Sequence, residues 1–179
     1  MALSAIEAVV EFWKAAGPAR WFAKDAAFDD ALRERFLAEH EAAADGRLDD
    51  WADSADGSLA LLILLDQFPR NCFRGTARMF ATDERAKEIA DRAIDRGFDT
   101  AVAPELRNFF YLPFMHAEDL GDQDRAVALS EEAGLDPKWA ILHRDIIARF
   151  GRVPHRNEIL GRHSTDEELA YLAGGGFAG

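Results

Sequence analysis

Cysteine is almost absent: Cys72 stands alone among 179 residues. No disulfide can form within the chain, and its cysteine usage gives no support to an oxidising compartment. Long apolar runs are missing too. The longest, Leu59 to Leu65, has seven residues, against about 18 for a bilayer span. The opening residues carry no cation before Lys14, so the charged start and apolar core of a secretory leader are lacking. These absences lead us to expect a cytoplasmic protein with no membrane partner. Cations are scarce relative to anions: 21 Lys and Arg face 33 Asp and Glu, a net charge of −12. Such a balance argues against nucleic acid and anionic lipid as partners, so any anion site must be local. The P-loop, the dinucleotide glycine fingerprint, Gly-x-Ser-x-Gly, His-Glu-x-x-His and Cys-x-x-Cys are all missing, so neither a cofactor nor a metal is expected.

What the chain has is apolar residues, 49% of the total, recurring at helical spacing almost throughout, with no sustained alternation of period two. The pattern reads as all-α, with a single domain over 1–173 and a Gly-rich tail over 174–179. Ile6, Val9, Val10 and Trp13 define a first helix that Gly17-Pro18 should stop. Phe28, Leu32, Phe36 and His40 define a second over about 26 to 45, capped by Asp25 and Gly46. Leu59 to Gln67 is apolar nearly all round, as befits an enclosed central helix, and Pro69 should end it. A fourth helix runs from Thr82 or Asp83 to Arg96, burying Ala86, Ile89, Ala90 and Ile94. Pro104 opens a fifth that Pro113 interrupts just before His116. Asp122 to Ala133 makes a sixth, and Pro137 opens a seventh expected to bury Ile141, Leu142, Ile146 and Phe150. Thr165 and Glu168 form a capping box for a short last helix. Beyond it Gly174-Gly175-Gly176 should fray while Phe177 is free to dock. Seven or eight helices with short connections imply antiparallel neighbours, in a bundle or a layered array of hairpins. The 34-residue tetratricopeptide pattern is not found, so the residues leave both arrangements open.

Three polar clusters are candidates for chemistry. The window 143–163 holds three of the five histidines and five arginines against Asp145 and Glu158, a local +3 within a remainder of −15. Its cations are all arginine, which favours bidentate recognition of carboxylate or phosphate. Arg149, Arg152, His155, Arg156 and Asn157 are its site candidates. Asp66 and Arg70 form the second cluster, where the most apolar helix reaches an edge. A buried Asp66 needs a cation or several amide donors, and an arginine from 149–156 is one source. His116 and Glu118 form the third, after the Pro113 break, where a histidine beside a carboxylate can act as base or proton donor. In each cluster the alternative is a structural ion pair or an ordered loop. Cys72 lies between Arg70 and Arg74, surroundings that can activate a thiol, yet a lone cysteine more often serves as a small buried apolar residue. Trp13, Trp21, Trp51 and Trp139 read as core and staple residues before groove lining.

The segments Leu64-Leu65-Asp66-Gln67-Phe68-Pro69-Arg70-Asn71, Leu112-Pro113-Phe114-Met115-His116-Ala117-Glu118 and Phe150-Gly151-Arg152-Val153-Pro154-His155-Arg156-Asn157-Glu158-Ile159-Leu160-Gly161-Arg162 resemble, in order, the motifs of the bacterial family known as domain of unknown function nine-two-four. Val10-Glu11-Phe12-Trp13 and Ser164-Thr165-Asp166-Glu167-Glu168 add to the likeness. Val153 stands where the family pattern has Phe, and Ala117 where it has Ser. Both departures shrink a side chain and so bear on pocket shape more than charge. The resemblance implies a tetratricopeptide-like, right-handed array of helical hairpins. It implies no activity, because folds do not fix functions.

Three readings of function follow. In the first, the chain is a binding module whose arginines, with His155 and Asn157, grip a small anionic ligand or a peptide carboxylate. In the second it is a hydrolytic or acid–base enzyme, with His116 or His155 moving protons, Asp66 or Glu118 orienting it, and the arginines stabilising developing charge. A protein-interaction scaffold with a structural arginine network is the third alternative.

Overall fold

The Ser4 hydroxyl accepts the Glu7 amide at 3.2 Å while the Glu7 carboxylate accepts the Ser4 amide at 2.8 Å. This reciprocal cap starts α1 (Ala5–Ala16) in the computed structural model, which describes residues 3–179. Gly17, at φ 71°, ends α1 as expected. Pro18 then opens a short α2 (Pro18–Trp21), since a missing amide costs nothing in a first turn. The Trp21 indole donates to the Trp13 carbonyl at 2.7 Å, folding α2 back on α1. Asp25 accepts the Phe28 amide at 3.1 Å and starts α3 (Ala26–Ala44), which buries Phe28, Leu32, Phe36 and His40.

Ser54 caps α4 (Ala55–Leu62), but Pro69 does not end the central helix. Ile63–Gln67 forms a π turn, and the chain continues as α5 (Phe68–Cys72), with Pro69 in its first turn. The widened turn moves the Phe68 amide onto the Ile63 carbonyl. The Leu64 carbonyl, which that amide would meet in an α-helix, receives the His40 imidazole at 2.8 Å instead. The α-helical donor to Leu65 would come from residue 69, a proline, and the Thr82 hydroxyl donates to that carbonyl. Side chains of two neighbouring helices thus complete the backbone bonding of a segment that has no water to turn to.

Thr82, so employed, makes no side-chain cap for α6 (Asp83–Asp95), which buries Ala86, Ile89, Ala90 and Ala93; Ile94 is only half-buried. Gly97 closes it in the left-handed region at φ 72°. Pro104–Phe110 winds as a 3₁₀ segment in place of the expected α-helix. Its Phe109 ring meets Trp13 edge-on at 5.5 Å and Trp21 at 5.1 Å. The short α7 (Leu112–Met115) follows. Then come α8 (Leu120–Glu132), capped by Asp119, and α9 (Lys138–Phe150), which packs against α8 as the second arm of a hairpin. On α9 the buried residues are Ala140, Ile146 and Ile147, while Ile141 is exposed and Leu142 and Phe150 are half-buried. A 3₁₀ turn at Pro154–Arg156 leads to α10 (Asp166–Ala173), started by the expected Thr165 and Glu168 box. The glycines after it remain in hydrogen-bonded turns, Gly174 donating to Ala170 and Gly176 to Tyr171.

The described residues are all-helical, with ten α-helices and no strand. Ten exceeds the expected seven or eight because the π turn divides the central helix and α2 is added, while α7 is the α-helical remainder of the expected fifth. Contacts divide the chain into two compact units: the chain to Arg74 with Arg78–Pro113, and Gly75–Ala77 with Phe114–Gly179. In the first, α4 packs on α1 and α6, and α5 on α3. Its core is Leu59 to Leu65 with Trp13, Leu32, Phe68, Phe109 and Phe110. No helix among the described residues is long and apolar enough to cross a membrane.

Candidate functional site

In the first unit the polar centre is the π turn itself. Asp66 is 1% exposed, and the cation such a carboxylate requires is Arg70, one helical turn on, at 3.1 Å. The same guanidinium forks onto Asp83 at 2.8 and 2.9 Å and reaches the Asp66 carbonyl at 2.9 Å. Burial alone would lower the Arg70 pKa, and Asp66 and Asp83 reverse this and raise it. The Gln67 amide donates to Asp66. Arg70 is therefore held by two carboxylates of its own unit. Cys72 is buried beside the Asp29 carbonyl at 3.6 Å. Burial pushes its thiol up to about 12, against the opposing pull of Arg33 and Arg74. That is the inert, packed cysteine and not the activated nucleophile.

In the second unit the clusters around His116 and His155 meet. The Arg162 guanidinium forks onto Glu118 at 2.5 and 2.9 Å. Glu118 also accepts the Val153 amide at 2.8 Å, and Arg162 donates to the Val153 carbonyl at 3.2 Å. Both backbone groups of Val153 are thus fixed, and with them the turn carrying His155, Arg156 and Asn157. Burial raises the Glu118 pKa, but Arg162 and the Val153 amide outweigh it and leave the group below its ordinary value. A carboxylate so engaged is a poor base. From α8, the fully buried Gln123 donates to the Met115 and Ala117 carbonyls, each at 2.7 Å. It grips the backbone on either side of His116.

A second frame closes the same turn from α10. Arg152 forks onto Glu168 at 2.6 and 2.8 Å and donates to the His163 carbonyl at 2.8 Å. Asn157 donates to Glu168 at 3.2 Å and to the Ser164 hydroxyl at 3.0 Å. Glu168, 2% exposed, also closes the capping box by accepting the Thr165 amide at 2.7 Å. The Arg152 fork, followed by the Thr165 and Asn157 donors, outweighs desolvation and lowers its pKa to about 2. Arg149 stands apart from these frames, paired with Glu167 on the surface and lying over the Phe150 ring at 4.7 Å.

His155 is half-buried, and burial, with the neighbouring Arg156 charge, lowers its pKa to about 4. Its Nδ1 and the Asn157 Oδ1 are buried atoms with no hydrogen-bond partner. No group of three or more His, Cys, Asp or Glu among the described residues is arranged to hold a metal ion.

A family model described as a bacterial protein of unknown function (DUF924) matches residues 9–176. The chain belongs to this family. A solved structure, that of a protein of unknown function from Agrobacterium tumefaciens, is 55% identical, covers 93% of this chain and 96% of that one, and superposes with a TM-score of 0.90. No curated protein matches the sequence. Within this DUF924 chain, Glu168, Arg162, Gln123 and Asp83 hold the polar clusters together, and sequence reasoning had not placed them there. Glu168 was visible only as a helix cap, and Arg162 only as one of five arginines. Nothing in the local pattern marked Gln123 or Asp83.

Proposed function

We propose that this protein is a binding module, built as a tetratricopeptide-like array of helical hairpins, that receives an anionic group at His155, Arg156 and Asn157. One observation carries the reading: next to the buried Arg156, His155 Nδ1, which can donate when protonated, is buried without a hydrogen-bond partner. Such atoms are rare in native proteins and call for a ligand or ordered water. The Glu118–Arg162 and Arg152–Glu168 frames hold the turn before any ligand arrives, which lowers the entropic cost of binding. A bound carboxylate or phosphate favours the protonated imidazole, so affinity rises as the pH falls toward 5.5. The fold assignment is supported by the α8–α9 hairpin and its short connection.

The test is a thermal-shift screen of small carboxylates, phosphates and C-terminal peptides at pH 5.5 and 8, on the parent beside Arg156→Ala. A ligand at 100 times its Kd adds about 2.7 kcal/mol, a midpoint rise of about 5–10 °C for a chain of this size. One class that shifts the parent and not the folded variant supports the reading. No shift with any class, together with a destabilised variant, makes the turn architecture. The closed pairs Arg70–Asp83, Arg152–Glu168 and Arg162–Glu118 favour that second reading, an interaction scaffold stiffened by an arginine network.

A further inference from the structure

We propose that His143, His155 and Tyr171 form a binding site for an aromatic residue of an extended peptide, and that Phe177 of the chain's own tail occupies it. The Phe177 ring lies edge-on to the His143 ring at 4.8 Å and to the His155 ring at 5.4 Å. These separations and tilts are the ones aromatic rings prefer. The Phe177 amide donates to the Tyr171 hydroxyl at 2.9 Å. Ring and main chain are both read, as they are when a domain recognises an extended peptide.

Burial supports the tail as an occupant of this site over the tail as part of the core. Phe177 is only half-buried, unlike Phe114 at 1% exposure in the same unit. The tail nevertheless fits closely. A Cβ on Gly176 would stand 2.5 Å from the Tyr171 ring, and one on Gly179 would stand 3.3 Å from His155 Nε2. A glycine directly before the aromatic residue, with space for only a small residue two places after it, is therefore part of what the site selects, and the ligand class is a peptide that carries Gly-aromatic.

This site shares His155 with the anion-binding reading but needs no negative charge, so either can fail alone. The probe is the uncharged peptide acetyl-Gly-Phe-Ala-amide, titrated against the histidine ring resonances of Phe177→Ala and of the parent. A tethered segment acts at an effective concentration in the millimolar range. The peptide should therefore shift the His143 and His155 resonances of Phe177→Ala saturably, and those of the parent at least tenfold more weakly. Acetyl-Gly-Ala-Ala-amide should shift neither chain. Equal shifts in both chains, or none in a folded Phe177→Ala, overturn the proposal. A chain ended at Gly176 gives an independent second variant with the same expected response. If neither variant folds, Phe177 is core and the proposal is wrong. Arg156→Ala combined with Phe177→Ala should still take the peptide, which separates this site from the anion reading.

Discussion

The His40 imidazole donates through Nδ1 to the Leu64 carbonyl at 2.8 Å, standing in for the Phe68 amide that the π turn has moved to Ile63. A carbonyl only accepts, so the tautomer is set: Nδ1 carries the proton. The His40 ring also stacks on Phe68 at 4.7 Å. His40→Phe keeps the stacking and removes the donor, leaving a buried acceptor unsatisfied at about 1–3 kcal/mol. Urea denaturation should show the midpoint falling with an unchanged slope. An unchanged midpoint would mean that the π turn does not depend on this bond.

Glu168 should govern the acid limb of stability. Its folded pKa of about 2 lies below the ordinary 4.5, so its contribution is complete above pH 4.5 and disappears as the pH falls toward 2. Glu168→Gln should be less stable than the parent at pH 7, and the gap between the two should narrow steadily from pH 4.5 to 2. A gap that stays constant over this range contradicts the assignment.

His155 acts in a higher window with the same sign. Held at about 4 in the folded chain against an ordinary 6.5, it stays neutral while the unfolded chain takes up a proton. Its contribution is complete above pH 6.5 and is lost as the pH falls to 4. His155→Asn should flatten the stability profile of the parent in that interval. His40, whose pKa burial also lowers, leaves a residual slope in both chains, so the comparison is between the two profiles.

Cys72, with its thiol pushed up to about 12, holds almost no thiolate at pH 8. Iodoacetamide should label the native protein orders of magnitude more slowly than the urea-unfolded one. Rapid native labelling at pH 8 would contradict the burial described here.

Helix ends were legible in the sequence because they are local. Gly17, Asp25 and the Thr165–Glu168 box each act within four residues. The π turn was not legible: Leu59 to Leu65 is apolar on every side, so no face distinguishes one helical register from another. Pro69 read as a terminator because the donors that rescue the widened turn, His40 and Thr82, lie 24 and 17 residues from the carbonyls they meet. The candidate site divides along the same line. Arginine enrichment between 143 and 163 was visible, but Glu118 and Arg162 are 44 residues apart and nothing local assigns one to the other. Ile141 was expected inside and lies outside because α9 buries a stripe displaced toward Ala140 and Ile147.

An α-helix advances about 100° per residue, and the widened turn at Ile63–Gln67 takes up one extra residue without passing that rotation on to the rod beyond it. Upstream, α4 is aimed at α1 and α6; downstream, α5 is aimed at α3. Deleting Leu64 would leave the Phe68 amide on the Ile63 carbonyl, now four residues back as in an α-helix, and so keep Phe68 and Cys72 facing the neighbour they serve. Of all places in the central helix, the widened turn is therefore where the loss of one residue disturbs the register least.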